Sequence, residues 1–273
     1  MMSKQILLIN DLAGYGKVAL SAMIPVLSHM GHQIYNLPTA LVSNTLDYGK
    51  FDILETTDYM KNTISVWDDL GFQFDAIATG FIVSEVQAKM IADYCRKKSE
   101  NGTLIFVDPI MGDEGKLYNG VSQETISHMR ELVKVADYIV PNYTEAVYLA
   151  KMQYHSQDLT REEADELVER LRIMGAKSVI ITSARLDGKD VVIGYDHELD
   201  EKFVLPFDII PVRFPGTGDI FSSILIGKVL SGNRLVDSTR NAMDAVRELI
   251  KRNQDNADKY KGIPVENYLE VLD

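Results

Sequence analysis

The sequence is poor in cysteine, in basic charge and in long apolar runs. A single cysteine, Cys95, among 273 residues excludes a disulfide framework. Lys and Arg number 28 against 40 Asp and Glu, a net charge of −12 that repels nucleic acids and anionic membranes. No apolar stretch reaches the ~18 residues of a membrane span, and the first run, ILLI, is too short for a signal peptide. We therefore expect a cytoplasmic protein with no membrane or nucleic-acid partner.

A P-loop is also missing. The segment NDLAGYGK (10–17) follows ILLI and ends in Gly-Lys. The P-loop pattern requires glycine where Asp11 stands and Ser or Thr where Val18 stands. If the chain binds phosphate, another segment must do so. A nucleotide ligand stays open, because magnesium and backbone amides are able to supply the positive charge.

Short β-branched runs alternate with amphipathic helical patterns along the chain. The runs are nearly continuous in apolar character, as in strands covered on both faces. This rhythm predicts an α/β fold with a mainly parallel central sheet and helices on both faces, formed by one domain over 1–273. The strand-like runs are 6–9, 75–79, 103–108, 137–141 and 178–183.

Local signals refine this outline. Ser84 with Gln87, and Thr160 with the two acids that follow, predict helix starts. Asp187-Gly188 predicts a hairpin turn. Residues 34–54 look irregular and predict a flap or a small additional sheet.

Polar residues gather where the predicted strands end. In an open parallel sheet, ligands bind beyond these carboxyl ends. Each strand finishes apolar and passes to a side chain able to bind a ligand, which predicts a binding site at this edge. The residues are Asn10, Asp11, Thr79, Asp108, Asn142, Thr182 and Ser183.

The segment FPGTGDIFSSILIGKVL (214–230) carries the most chemistry. Gly216 and Gly218 precede an apolar helix pattern, and backbone amides at a helix N-terminus form an anion hole. Asp219 in that first turn would repel an anion, but it suits a base that takes a proton from an attacking hydroxyl group. The alternative is a favourable acid at a helix start, and for an isolated GTGD segment that alternative would be preferred.

Further acids follow two neighbouring strands. DPIMGD (108–113) offers Asp108 and Asp113, and PNYTEA (141–146) offers Asn142 and Glu145. A few oxygen ligands without a closed cage suit Mg²⁺ that bridges phosphates. Each acid alone could equally be a solvated cap, but the acids together with the GTGD segment favour a phosphoryl-transfer site.

FPGTGDIF, DPIMGD and VPNYTEA together resemble the ribokinase-like superfamily of small-molecule kinases. Within it the chain is most similar to the pyridoxal (vitamin B6) kinases, over residues 5 to about 250. The resemblance implies the ribokinase-like three-layer fold and an ATP-dependent kinase that phosphorylates a hydroxymethyl group. It also implies a homodimer that needs Mg²⁺ and is often aided by K⁺.

The resemblance also implies residue roles. Asp219 would be the base, and Gly216, Thr217 and Gly218 the anion hole. Substrate would contact Asn10, Asp11, Ser43, Leu46 and Phe81. ATP would contact Asp108, Asp113, Tyr118, Asn142, Thr182, Ser183 and Val212, and Asp108, Asp113 and Glu145 would arrange the metal.

The chain departs from the B6 kinases in the ring-binding half. Asp11-Leu12 replaces a common Ser-His, Leu46 replaces a threonine, and Phe81 replaces a tyrosine. Asp11 is acidic where the family is usually neutral. We hypothesise that it favours a cationic vitamer, pyridoxamine, through a charge-assisted hydrogen bond, although it could instead bind a backbone amide.

Two alternatives remain at this stage. Because the altered residues set the substrate, the chain could be a hydroxymethylpyrimidine or sugar kinase of the same superfamily. It could also be a regulator that binds a nucleotide or vitamin B6 without catalysis. A base beside the anion hole argues against the second alternative.

Overall fold

The structure, a computed structural model, describes residues 3–273. In chain order the strands are β1 Gln5–Ala13, β2 Gln33–Val42, β3 Ile53–Glu55, β4 Ala76–Thr79, β5 Leu104–Val107, β6 Gly112–Asp113, β7 Lys116–Leu117, β8 Tyr138–Ile139, β9 Ser178–Leu186, β10 Lys189–Asp196 and β11 Glu201–Phe207. The helices are α1 Leu20–His29, α2 Thr57–Asp69, α3 Glu85–Ser99, α4 Gln123–Val133, α5 Tyr143–Ala150, α6 Arg161–Met174, α7 Thr217–Leu230 and α8 Leu235–Asn253. Short 3₁₀ turns lie at Leu46–Tyr48, Val265–Asn267 and Leu269–Leu272.

The chain forms two compact units. The first joins residues 3–81 to 210–273, and the second contains 82–209. Each unit is described by itself, together with the predicted site residues that it contains.

In the first unit the strands are ordered β4-β1-β2-β3. β1 pairs in parallel with both β4 and β2, while β3 runs antiparallel to β2. The apolar run Ile6–Ile9 of β1 is fully buried, as a central strand covered on both faces requires. The pairing of β1 with β2 shifts register between Asn10 and Leu12, at the end of the strand that carries candidate site residues.

In the second unit the strands are ordered β5-β8-β9-β10-β11. β5, β8 and β9 pair in parallel, and β9, β10 and β11 pair antiparallel. The β9–β10 turn places Asp187 at φ 53° and Gly188 at φ 75°. These positive φ values suit a two-residue hairpin turn, and the predicted hairpin is confirmed. β6 and β7 form a separate small hairpin.

The predicted fold class, α/β with a mainly parallel central sheet and helices, is confirmed. The helix starts are confirmed too, because the Ser84 and Thr160 hydroxyl groups each accept a main-chain N–H three residues on. The prediction for 34–54 is wrong in part. β2 is a long strand paired in parallel with β1, and only the short antiparallel β3 follows it.

Within 3–273, no helix is both long enough and apolar enough to cross a bilayer.

Candidate active site

The N-terminus of α7 depends on glycine at position 216. Gly216 lies in the left-handed region, with φ 84° and ψ −2°. A Cβ atom added there would stand 2.1 Å from the carbonyl oxygen of Lys17. Both the conformation and the close approach require glycine, so this residue fixes where α7 begins.

Gly218, one residue into α7, is under no such constraint. It is exposed, and a Cβ atom added there would meet no heavy atom within 4 Å. The first intrahelical bond runs from the Ile220 N–H to the Gly216 oxygen at 3.0 Å. N–H groups that precede this bond lack an acceptor within the helix, and they favour an anion. A glycine that packing does not require, beside such donors, indicates a place that a ligand approaches closely.

Asp219 is nearly buried in the first turn of α7, with 9% of its surface exposed. Its Oδ2 accepts the Ala19 N–H at 2.8 Å, and its Oδ1 accepts the Asn10 side-chain NH₂ at 3.5 Å. Burial raises the pKa of Asp219 to about 6, while the two donors lower it. A carboxylate of that pKa is ionised at neutral pH yet basic enough to accept a proton.

The Ala19 contact could not be predicted from the sequence. Ala19 caps α1 with φ 48° and ψ −132°, a region that non-glycine residues rarely enter. Its N–H nevertheless points at Asp219, 200 residues away in the sequence. Strain of this kind gathers at functional sites, and an alanine carries no sequence signal of it.

Asp11 is the second acid in this part of the first unit. It is half-buried at the register shift of β1, and its N–H donates to the Asn10 Oδ1 at 3.0 Å. Burial, and then the negative charge of Asp219, raise the pKa of Asp11 to about 7. The structure therefore brings together two acids with pKa values near neutrality, as functional sites often do.

Phe81 ends the segment after β4 and is buried. Its N–H donates to the Asn10 Oδ1 at 2.8 Å, and its carbonyl oxygen accepts the Thr39 hydroxyl at 2.8 Å. The main-chain N–H and carbonyl oxygen of Phe81 are thus both hydrogen-bonded to buried side chains. Thr39, like Ala19, was missed by sequence reasoning, because 42 residues separate the two partners.

The other predicted residues of the first unit lie in nearby loops of the fold. The Ser43 hydroxyl donates to the Asn44 Oδ1 at 2.7 Å and accepts the Asp52 N–H at 2.9 Å. Leu46 opens the 3₁₀ turn and is half-buried. Val212 is half-buried in the segment before α7. Their contacts with substrate or ATP stay predictions.

In the second unit, Asn142 and Glu145 form a reciprocal cap at the start of α5. The Glu145 N–H donates to Asn142 Oδ1 at 3.0 Å, and the Asn142 N–H donates to Glu145 Oε2 at 2.9 Å. Glu145 Oε1 also accepts the Met111 N–H at 2.9 Å, and the Asn142 side-chain NH₂ donates to the Gly112 oxygen at 2.7 Å. The predicted pair therefore holds the DPIMGD segment against α5.

Glu145 is buried close to Asp108. Burial, and then the charge of Asp108, raise the pKa of Glu145 well above its ordinary value, while three backbone N–H groups lower it. Among residues 3–273, no three His, Cys, Asp or Glu side chains gather in an arrangement that could hold a metal alone. Mg²⁺ bound to nucleotide uses only one or two carboxylates, so Asp108 remains compatible with it.

The remaining predicted ATP residues lie around the same strand ends. Thr182 bridges to Asn142 in parallel and is half-buried. Ser183 is exposed with φ 57°. Asp113 accepts the Glu114 N–H at 2.9 Å in the β6–β7 hairpin, and Tyr118 follows that hairpin. Their contacts with nucleotide stay predictions.

Comparison with known proteins finds similarity to small-molecule kinases. A family model described as "Phosphomethylpyrimidine kinase" matches residues 20–264. A putative pyridoxal kinase of Schizosaccharomyces pombe is 30% identical over 238 residues, which cover 83% of this chain and 68% of that protein.

Solved structures agree with these matches. A putative phosphomethylpyrimidine kinase from Bacteroides thetaiotaomicron, crystallised with pyridoxal, has a TM-score of 0.93 and 34% identity, over 99% of this chain and 96% of that one. The pyridoxal kinase from Lactobacillus plantarum has a TM-score of 0.87 and 25% identity, over 98% of this chain and 96% of that one.

Proposed function

We propose that this chain is a vitamin B6 kinase, because it belongs to the phosphomethylpyrimidine kinase family and has pyridoxal kinases among its relatives. It transfers the terminal phosphoryl group of ATP to the 5′-hydroxymethyl group of pyridoxal, pyridoxamine or pyridoxine. The observation that carries the proposal is the buried Asp219 carboxylate in the first turn of α7, next to the open face of Gly218.

The reaction balances with Asp219 as the base. The hydroxyl oxygen of the vitamer forms a bond to the γ-phosphorus, while the bond from that phosphorus to the β,γ-bridging oxygen breaks. The hydroxyl proton passes to the Asp219 carboxylate, and the electron pair of the broken bond leaves with ADP. Such transfer is catalysed mainly by positioning and by charge stabilisation. The Ala19 N–H and the Asn10 NH₂ orient the base.

The anion hole is the second element of the proposal. The N–H groups of Thr217, Gly218 and Asp219 lie in the first turn of α7, where the helix dipole favours negative charge. Gly218 leaves the approach to these groups open. The transferring phosphoryl group gains charge stabilisation there without a lysine.

Magnesium fits the acids of the second unit. Asp108 would hold it, with Glu145 fixing the DPIMGD segment through its bonds to the Met111 and Gly112 N–H groups. When bound with nucleotide, the ion neutralises phosphate charge. Direct ligation by Glu145 or Asp113, a K⁺ requirement and the homodimer are further parts of the proposal.

A second candidate is phosphorylation of a hydroxymethylpyrimidine. The description of the matching family model favours it, and the ring-binding half of this chain departs from the B6 kinases at Asp11, Leu46 and Phe81. Because the Bacteroides relative was crystallised with pyridoxal, we rank the B6 vitamers above the pyrimidine as proposed substrates.

A coupled assay of ADP release tests the proposal. The wild-type chain is given ATP and Mg²⁺ with each vitamer, a hydroxymethylpyrimidine and a sugar in turn. We expect the highest kcat/KM with a B6 vitamer. Preference for the pyrimidine would establish the second candidate, and tight ATP binding without any turnover would establish the non-catalytic regulator.

A further inference from the structure

Asn10 occupies a central place among the candidate site residues of the first unit. Its side chain is 2% exposed. The amide oxygen accepts the N–H groups of Phe81 at 2.8 Å and Asp11 at 3.0 Å. The amide nitrogen lies 3.5 Å from both Asp219 Oδ1 and Met23 Sδ. The polar atoms of a residue predicted to bind substrate are thus engaged by the protein itself.

The orientation of this amide follows from its partners. Two main-chain N–H groups converge on one end, so that end must be the oxygen. The NH₂ group is therefore the end that faces Asp219. Only an amide side chain both accepts from the Phe81 peptide and donates to the carboxylate from this position.

Packing restricts the amide further. A Cβ atom added to Gly80 would lie 2.4 Å from the Asn10 Nδ2 and 2.5 Å from its Oδ1. Glycine at position 80 therefore lets the chain lie directly against the amide. The amide is fixed by hydrogen bonds at both ends and by backbone contact across its face.

We infer that Asn10 is a positioning residue that ties the candidate base Asp219 to Phe81, the candidate ring-binding residue. Its NH₂ group orients the carboxylate, and its oxygen holds the Phe81 peptide. The base and the vitamer ring are thereby kept in one geometry. This inference rests on the proposed function and deepens it, because it removes Asn10 from the substrate contacts.

Asn10→Asp separates the two tasks of the amide. The variant keeps an oxygen for the Phe81 and Asp11 N–H groups but turns a second oxygen, not an NH₂, toward Asp219. We expect kcat to fall about 10- to 100-fold, as for loss of a hydrogen bond to a charged group. The vitamer KM should change by less than about threefold.

The pH profile of kcat gives a second readout. Asp219 must be ionised to act, and the variant loses a donor that favours the ionised form. The acidic limb should therefore move to higher pH. The carboxyl group introduced at position 10 acts in the same direction, because a second negative charge beside Asp219 disfavours its ionisation. In the wild type, Asp11 on β1 is a neighbouring ionisable group, and the Ala19 main-chain N–H, at the start of α1, donates to the carboxylate.

Thr39→Val is the matched control. It removes the bond to the other end of the Phe81 residue, its carbonyl oxygen, and leaves the amide on Asp219 in place. We expect a raised vitamer KM with kcat and its acidic limb unchanged. The inference would be overturned if Asn10→Asp kept the wild-type kcat and the wild-type acidic limb of the pH profile. It would also be overturned if Thr39→Val showed the same loss of kcat and the same shift of the acidic limb.

Gly80→Ala serves if Asn10→Asp does not fold, because its methyl group displaces the amide without removing it. A folded Gly80→Ala protein should lose kcat at least about fivefold, and an unchanged kcat would contradict the inference. Wild-type turnover in the same assay distinguishes failure of the inference from failure of the proposed function. If the wild type turns over no vitamer, the proposed function fails and the inference fails with it.

Discussion

At the scale of single residues, the proposed chemistry depends on how Asp219 is held. Its carboxylate is nearly buried, and it accepts one main-chain and one side-chain donor. Burial raises its pKa to about 6. The residue therefore ionises below neutral pH but keeps more affinity for a proton than an exposed aspartate.

Asp219→Asn keeps the shape of this side chain and removes the proposed base. We expect kcat to fall about 10²- to 10⁴-fold, the usual contribution of general-base catalysis. ATP affinity should fall little, because the backbone donors of α7 remain. Steady-state kinetics and calorimetric ATP titration measure the two effects. Asp255→Asn, an exposed acid after α8, is the control and should behave as wild type.

Asp11 offers a prediction about vitamer choice. Burial and the charge of Asp219 raise its pKa to about 7, so its charge develops as the pH rises through neutrality. A carboxylate here would favour the cationic pyridoxamine over pyridoxal through a charge-assisted hydrogen bond. We expect Asp11→Asn to lower the pyridoxamine-to-pyridoxal ratio of kcat/KM by about tenfold at pH 8. An unchanged ratio would assign Asp11 to its backbone contact alone.

At the scale of elements, the N-terminus of α7 uses its two glycines differently. Gly216 is required by its φ of 84° and by its contact with Lys17. Gly218 has open space in place of a side chain, so folding alone would tolerate alanine there. We therefore propose that Gly216 is needed for the fold and that Gly218 is needed for a ligand.

Gly218→Ala tests that distinction. Alanine is the better helix former, so the free energy of unfolding should hold or rise by up to about 1 kcal/mol. The new methyl group projects into the approach to the anion hole, and we expect kcat/KM for ATP to fall about 10²-fold or more. Thermal denaturation and kinetics give the two values. Wild-type kinetics in a stable variant would place the phosphoryl group elsewhere.

Elements with strong local signals were predictable from the sequence. The capped starts of α3 and α6 and the Asp187-Gly188 turn follow from side chains within a few residues of one another. β2 was not predicted, because Asn36 and Pro38 disfavour a strand locally. It forms nevertheless, through parallel pairing with β1.

The candidate site divides in the same way. Asp219 and the Asn142–Glu145 pair lie in short motifs, and their proposed roles follow from local geometry. Ala19 and Thr39 act through contacts that span 200 and 42 residues. Nothing in an alanine or a threonine announces such a contact, so only the folded chain reveals it.

At the scale of the whole molecule, we expect the buried acids among the candidate site residues to lower the free energy of unfolding as the pH rises. The chain carries a net charge of −12. Inside it, burial raises the pKa of Asp11 to about 7, that of Asp219 to about 6, and that of Glu145 above its ordinary value. In the unfolded chain these groups would titrate near pH 4.

The sign of the pH dependence follows from linkage. Between about pH 4 and pH 7 the folded state binds more protons than the unfolded state, so these carboxyl groups make the free energy of unfolding fall as the pH rises. Asp11→Asn removes one of them. We expect its stability gain over wild type to grow from pH 5 to pH 8, reaching about 2–4 kcal/mol or several degrees in Tm.

Thermal denaturation of wild type, Asp11→Asn and Asp255→Asn across that pH range checks the expectation. Asp255→Asn is the control, and because substitutions at exposed positions change stability little, its Tm should stay close to that of wild type. A pH-independent gain in Asp11→Asn would show that its carboxyl group is not perturbed by folding. A growing gain would mean that the chain keeps Asp11 at the expense of stability, as residues retained for ligand binding often are.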